Sequence, residues 1–120
     1  LEDCFWAPRL QVLQDTTLPT QFRRCEETGR LFNFRRAARK EKGDFRGHVF
    51  NDSDVYKLIE AVAFSLSGLF DKKLYDLAQK VIADIADAQD EDGYLNSYFT
   101  FDLKKDRWTN LRDLHELYCA

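Results

Sequence analysis

The sequence predicts an all-α fold, on two apolar stripes and one missing pattern. Leu74, Leu77, Ala78, Val81, Ile82, Ile85 and Ala86 recur at spacings of three and four, and so do Val55, Leu58, Ile59, Val62, Ala63 and Leu66. Such spacing gathers each set on one side of a helix. The alternation that marks a strand is confined to Ser97–Phe101, which suits a short strand or an extended loop.

The longer stripe anchors the chain. Asp71 stands before it, where a carboxylate can accept from free amides of the first turn. Gly93 lies beyond it and either stops the helix or shapes the following turn, because glycine takes positive φ cheaply. The other stripe opens at Phe50-Asn51-Asp52-Ser53-Asp54, with Asn51, Asp52 or Ser53 as candidate N-cap, and Gly68 ends it. Only Gly68-Leu69-Phe70 separates the two helices, so they should form an antiparallel hairpin.

Upstream, Phe5-Trp6-Ala7-Pro8 reads as an aromatic plug packed on the core. Leu10, Val12 and Leu13 suit a short helical turn. Pro19 suits the first turn of a separate second helix, which runs to about Thr28, buries Phe22 and Cys25, and ends at Gly29. Glu26 and Glu27 would lie at the unfavourable end of its dipole and need Arg23, Arg24 or Arg30 nearby. Arg30–Gly47 interleaves many charges with Leu31, Phe32 and Phe34 and reads as a solvated loop or short helix. Lys104-Lys105-Asp106 reads as a turn. Asn110 then caps a last helix lined by Leu111, Leu114, Leu117 and Tyr118.

Composition narrows the function. The 120 residues suit one small domain, and 44% hydrophobic with 32% charged residues is ordinary for a folded protein. A net charge of −3 argues against nucleic acid as a partner, and no apolar run reaches the roughly 20 residues of a membrane helix. No basic segment followed by an apolar core is visible at the N-terminus, so a cytoplasmic location is expected. Cys4, Cys25 and Cys119 are an odd set without a CxxC pair, which favours free, mostly buried thiols over a disulfide framework or zinc finger. The chain begins without Met and stops within an apolar helical pattern, as a piece of a longer protein would.

No phosphate loop, HExxH motif or nucleophile elbow is present. His115 beside the apolar line of its helix is a candidate, as are Asp52 and Asp54, though capping explains these two equally well. Asp90-Glu91-Asp92 lacks the ligand spacing of a calcium loop. Trp6, Trp108, Tyr94 and Tyr98 can stack on sugar rings or fill a core.

Taken together, Phe5-Trp6-Ala7-Pro8-Arg9, Cys25-Glu26-Glu27-Thr28-Gly29-Arg30, Asn33-Phe34-Arg35-Arg36, Phe50-Asn51-Asp52-Ser53-Asp54-Val55-Tyr56-Lys57, Asp92-Gly93-Tyr94-Leu95-Asn96 and Arg107-Trp108-Thr109-Asn110-Leu111, with His115-Glu116-Leu117-Tyr118-Cys119-Ala120, resemble glycoside hydrolase family 127, the β-L-arabinofuranosidases. The likeness spans nearly the whole chain in order. The segments around Asp52 and His115 are its specific part, while Asp92–Asn96 alone is a weak signal. The resemblance implies that residues 1–120 are the N-terminal, incomplete portion of a catalytic domain, an (α/α)6 toroid of helical hairpins with a β-rich domain after it. It implies release of terminal β-L-arabinofuranose from glycans with retention, by a cysteine thiolate nucleophile and a glutamate acid/base. It implies zinc, held by a glutamate and cysteines that keep the thiol ionised. Those catalytic and zinc residues lie downstream in the family, so none is expected here, and neither Cys25 nor Cys119 matches the nucleophile. His115 carries over as a sugar-hydroxyl contact, a task a neutral imidazole performs as both donor and acceptor. Asp52, Asp54, Tyr94 and Asn96 match positions on the pocket side. An unclosed toroid would leave apolar faces uncovered, so association with the rest of the toroid or with further copies is expected. The rival readings are a related helical-toroid uronide hydrolase or lyase, and a non-catalytic module that binds a sugar or a partner chain.

Overall fold

The structure, a computed structural model, describes residues 3–109 and Glu116. Among these it is all-helical, as expected, with helices α1 (Trp6–Val12), α2 (Leu18–Glu27), α3 (Arg30–Ala37), α4 (Asp52–Gly68) and α5 (Lys72–Ala88) and no strand. The last helix expected from the sequence, with its cap Asn110, lies outside the described residues apart from Glu116.

The α4–α5 hairpin forms as predicted. Asp71 Oδ1 accepts from the Leu74 amide at 2.7 Å and caps α5. Helix α5 stops at Ala88 rather than at Gly93, whose φ of 87° shapes the turn beyond it. From the two stripes Val55, Leu58, Val62, Leu74, Ala78 and Val81 are buried, whereas Leu77, Ile82, Ala63 and Ala86 face solvent. The stripes are therefore wider than the contact they make with each other and with α2 and α3. Phe22, Cys25, Leu31 and Phe34 complete the core from those two helices.

Two expectations fail at the N-terminal end. The first two helices are not separate: the π-helical turn Leu13–Thr17 joins α1 to α2 in one rod, with the Leu18 amide donating to the Leu13 carbonyl. Pro19 supplies the reason, since it has no amide to donate and its ring crowds the carbonyl four residues back, which a widened turn relieves. The turn also carries buried Gln14, whose Nε2 donates to the Leu69 carbonyl in the hairpin loop at 2.7 Å. Nor are Phe5 and Trp6 a plug. They are 52% and 57% exposed, and α1 has no buried residue.

Gly29, at φ 80°, separates α2 from α3 as expected, and α3 is the short-helix alternative for its segment. Glu26 finds its partner in α3 rather than among the arginines of its own neighbourhood: Arg35 Nη2 lies 2.5 Å from Glu26 Oε1 and Arg35 Nε 2.5 Å from Glu41 Oε1. The hydrogen bond from Arg35 holds the Glu26 carboxyl below its ordinary range. After Ala37 the chain runs back along α3. Asn33 bonds the Arg46 backbone on both sides, accepting from its amide at 3.0 Å and donating to its carbonyl at 2.9 Å. This places the N-terminus of α4 beside the C-terminus of α2, at the same end of the hairpin as the C-terminus of α5.

Candidate functional site

Four of the five predicted site residues, Asp52, Asp54, Tyr94 and Asn96, lie at that shared end. His115 lies outside the described residues. Asp52 and Asp54 come from the first turn of α4, and neither caps it. The segment Asp90–Trp108 folds over the ends of α4 and α5 and supplies Tyr94 and Asn96.

Asp52 is buried, 1% exposed. Its Oδ2 accepts from the Ser97 amide at 2.6 Å and its Oδ1 from the Ser97 hydroxyl. Burial pushes its carboxyl up to about 6, against the lowering pull of the two bonds from Ser97. Asp52 thus joins the start of α4 to the returning loop. Asp54 points elsewhere. It accepts from Arg30 Nε at 2.8 Å and lies on a groove of about 570 Å³ between α2 and α4 that also borders Cys25. Asp52, Tyr94 and Asn96 do not line that groove.

Asn96 replaces the expected strand or extended loop at Ser97–Phe101 with a tight bend. Its Oδ1 accepts from the amides of Tyr98 at 2.8 Å and Phe99 at 3.0 Å, a local bond open to Asn where the backbone turns. The chain then enters a 3-10 turn over Phe101–Asp106, longer than the Lys104–Asp106 turn read from the sequence. Asn96 Nδ2 and Asn51 Oδ1 are buried and carry no partner among the described residues. Buried polar groups are seldom left so, and here they mark places where a water or a further group can bond.

Tyr94 is wedged between charges and rings. Its hydroxyl donates to Glu116 Oε1 at 2.5 Å, the Arg107 guanidinium sits 3.7 Å over its ring, and the Trp108 ring meets it edge-on at 5.3 Å. Burial and the Glu116 carboxylate hold the phenol protonated well above its ordinary range. Glu116 itself is fully buried and also accepts from the Trp108 amide at 2.6 Å. Arg107 and Lys104 both pair with Asp90, and these bonds hold the Asp90 carboxyl below its ordinary range. The cluster fixes the loop on the helix ends.

Sequence reasoning missed Ser97, Arg107, Asp90 and Glu116. Glu116 was the most legible of these, as an acid set between apolar residues of a helical pattern. Asp90 was noticed only as part of an acidic turn, since its partners lie 14 and 17 positions away. Among the described residues, no three His, Cys, Asp or Glu side chains converge as a metal site requires. Cys4 and Cys25 are free, and Cys4 is exposed, against the expectation of burial.

Residues 1–120 match a family model described as "Beta-L-arabinofuranosidase, GH127 catalytic domain". The chain belongs to glycoside hydrolase family 127. Over 92 residues it is 35% identical to a non-reducing end beta-L-arabinofuranosidase of Bifidobacterium longum subsp. longum, covering 72% of this chain and 14% of that relative. The crystal structure of a GH127 beta-L-arabinofuranosidase from Geobacillus stearothermophilus T6 superposes with a TM-score of 0.93 at 42% identity, over 99% of this chain and 20% of that one. Another GH127 beta-arabinofuranosidase gives 0.84 at 39% identity, over 98% and 20%. The chain thus spans a fifth or less of these GH127 relatives and has the fold of their corresponding segment, in line with the helical-toroid expectation.

Proposed function

We propose that this chain is the N-terminal segment of a retaining glycoside hydrolase that releases terminal L-arabinofuranose from glycans, and that it contributes one wall of the sugar pocket. The observation that carries the proposal is the match to the GH127 catalytic domain over residues 1–120. The geometry supports it by collecting Asp52, Tyr94 and Asn96 at one end of the hairpin, where Tyr94 bonds Glu116, the residue after His115. In this reading His115 donates to and accepts from sugar hydroxyls and so orients the ring. Tyr94 and Asp52 hold the surrounding backbone in place, since their polar atoms are already bonded within the chain.

The nucleophile and the acid/base belong to other parts of such an enzyme. In this reading so do the ligands of the zinc that the family implies. No described helix is long and apolar enough to cross a membrane. The free thiols Cys4 and Cys25 support a reducing, cytoplasmic compartment. Phe64, Phe70 and Leu69, at 72%, 63% and 56% exposure, support association with the rest of a toroid or with further copies of the chain.

The test is a full-length enzyme carrying His115→Ala, assayed on an arabinofuranoside. A fall in kcat/KM of roughly 100-fold is expected when a site loses a bond to a substrate hydroxyl and strands buried polar groups. An unchanged value overturns the proposal.

A further inference from the structure

Among the described residues three non-glycine positions have positive φ: Arg39 (60°), Phe101 (51°) and Trp108 (64°). All three lie at the site end, and two of them face each other. Arg39 follows α3 at the position where the chain reverses, its amide donating to the Arg36 carbonyl and the next amide, of Lys40, donating to the Arg35 carbonyl, both at 2.9 Å. Glycine is the residue that suits such a position. Backbone conformations of this kind persist where the surroundings impose them, and they concentrate at binding sites.

What the strained pair builds is a recess of about 390 Å³ walled by Arg36, Arg39, Lys42 and Phe101. The guanidinium carbons of Arg36 and Arg39 lie 4.9 Å and 5.9 Å from the centroid of the exposed Phe101 ring. Arg36 is fixed there, with Nε donating to the Gly43 carbonyl at 2.9 Å and Nη1 to Thr100 Oγ1 at 3.2 Å. The carboxylate on the rim, Glu41, is already neutralised by Arg35. Arg39 and Lys42 have no ion pair among the described residues. A protein of net charge −3 therefore presents three cations around one aromatic ring, with the local acid already bonded elsewhere.

We propose that this recess binds a carboxylate-bearing sugar, a hexuronate unit of the glycan whose arabinofuranose the enzyme removes; this rests on the glycan reading above and names its substrate class more closely. Arg36 spends Nε and Nη1 on Gly43 and Thr100 and adds positive charge, whereas the Arg39 guanidinium, beside the Phe101 ring, has no hydrogen bond among the described residues and can meet a carboxylate in bidentate fashion. The Phe101 ring offers an apolar surface to the C–H face of the sugar. The two elements together select an acid mounted on a ring over either feature alone.

Calorimetric titration of the protein at low ionic strength with glucuronate, glucose and acetate tests this. Glucuronate is expected to bind at least tenfold more tightly than glucose or acetate. Arg39→Gly is expected to weaken glucuronate at least tenfold while leaving Tm unchanged or higher, because glycine adopts the φ that arginine is forced into. Equal glucuronate binding by Arg39→Gly overturns the proposal, and acetate binding as tight as glucuronate does so as well, because the ring would then have no role. The underlying glycan reading fails by a different measurement: a full-length enzyme of native sequence that leaves an uncharged arabinofuranoside uncleaved.

Discussion

The two ends of the α4–α5 hairpin are built on opposite plans. At the turn end, Gly68 to Asp71 connects the helices tightly, and the side chains around it, Phe64, Leu69 and Phe70, face solvent. One side-chain bond from outside the hairpin reaches it among those described, Gln14 Nε2 to the Leu69 carbonyl. At the other end, long loops return over the helices, and the polar groups Asp52, Ser97, Asn96 and Glu116 are all buried. The strained residues Arg39, Phe101 and Trp108 are there too. The contrast separates two tasks. The turn end exposes apolar side chains, a surface that contacts without direction can cover. The site end holds an irregular backbone in one arrangement, which apolar contacts without direction do not achieve and hydrogen bonds from buried side chains do.

The contrast breaks most sharply at Asp52. Replacing it with alanine strands the Ser97 amide and hydroxyl in a dry interior, at a cost of roughly 2–4 kcal/mol. Urea unfolding should show this as a lower midpoint with an unchanged slope, and a loss under about 0.5 kcal/mol would mean that the Asp52–Ser97 link does not hold the loop. The same residue sets a pH dependence. Its folded pKa, about 6, lies above the unfolded value near 3.8, so folding favours the protonated acid. The stabilising contribution is full below about pH 4 and is lost as pH rises through 6, on the order of 2–3 kcal/mol across that window. Asp52→Asn keeps the shape without the titration and should flatten this part of the profile. Because Glu26 and Asp90 act in the opposite direction, the check is the difference between the two proteins, and a native-minus-Asp52→Asn stability that stays constant between about pH 4.5 and 7 would contradict the burial argument.

The turn end is tested by association. Each exposed phenylalanine contributes about 1.5–3 kcal/mol when a partner fully covers it. Phe64→Ser with Phe70→Ser should therefore shift the chain toward monomer in sedimentation velocity, with helical content unchanged by circular dichroism. Native chain that sediments as a single monomer and melts cooperatively would show that this surface does not drive association.

Helix existence was legible because it rests on local periodicity. The stripes at 55–66 and 74–86, the Asp71 cap and the break at Gly29 all depend on residues within a few positions of each other. The continuous α1–α2 rod was hidden by Pro19, which reads as a helix start although the chain accommodates it by widening the preceding turn. The family pattern named Asp52, Asp54, Tyr94 and Asn96, which the fold gathers at one end of the hairpin, but not the bonds they make. Asp52 to Ser97 spans 45 positions, and capping explains the same aspartate without any of that distance. Arg35 to Glu26 and Lys40 to Asp84 were illegible for a related reason: several charges nearby would have served equally, and only packing selects among them. Which residue of a run is paired is decided by tertiary geometry.

The smallest effect isolates what is local. Asp71 caps α5 at the turn end through a single bond, Oδ1 accepting from the Leu74 amide, and that amide is otherwise among the unpaired donors of the first turn. Asp71→Ala should cost about 1 kcal/mol, and Asp71→Asn or Asp71→Ser should recover most of it, since either side chain offers an oxygen at the same place. The loss should appear as a lower urea midpoint, with faster amide exchange confined to the first turn of α5 and no change around Ser97. If exchange at Ser97 rises as much as at Leu74, the two ends of the hairpin open together, and the division of labour between them is wrong. A difference confined to Leu74 and its neighbours would place the cap among the terms that set where a helix begins, separate from the buried bonds that set how the site is shaped.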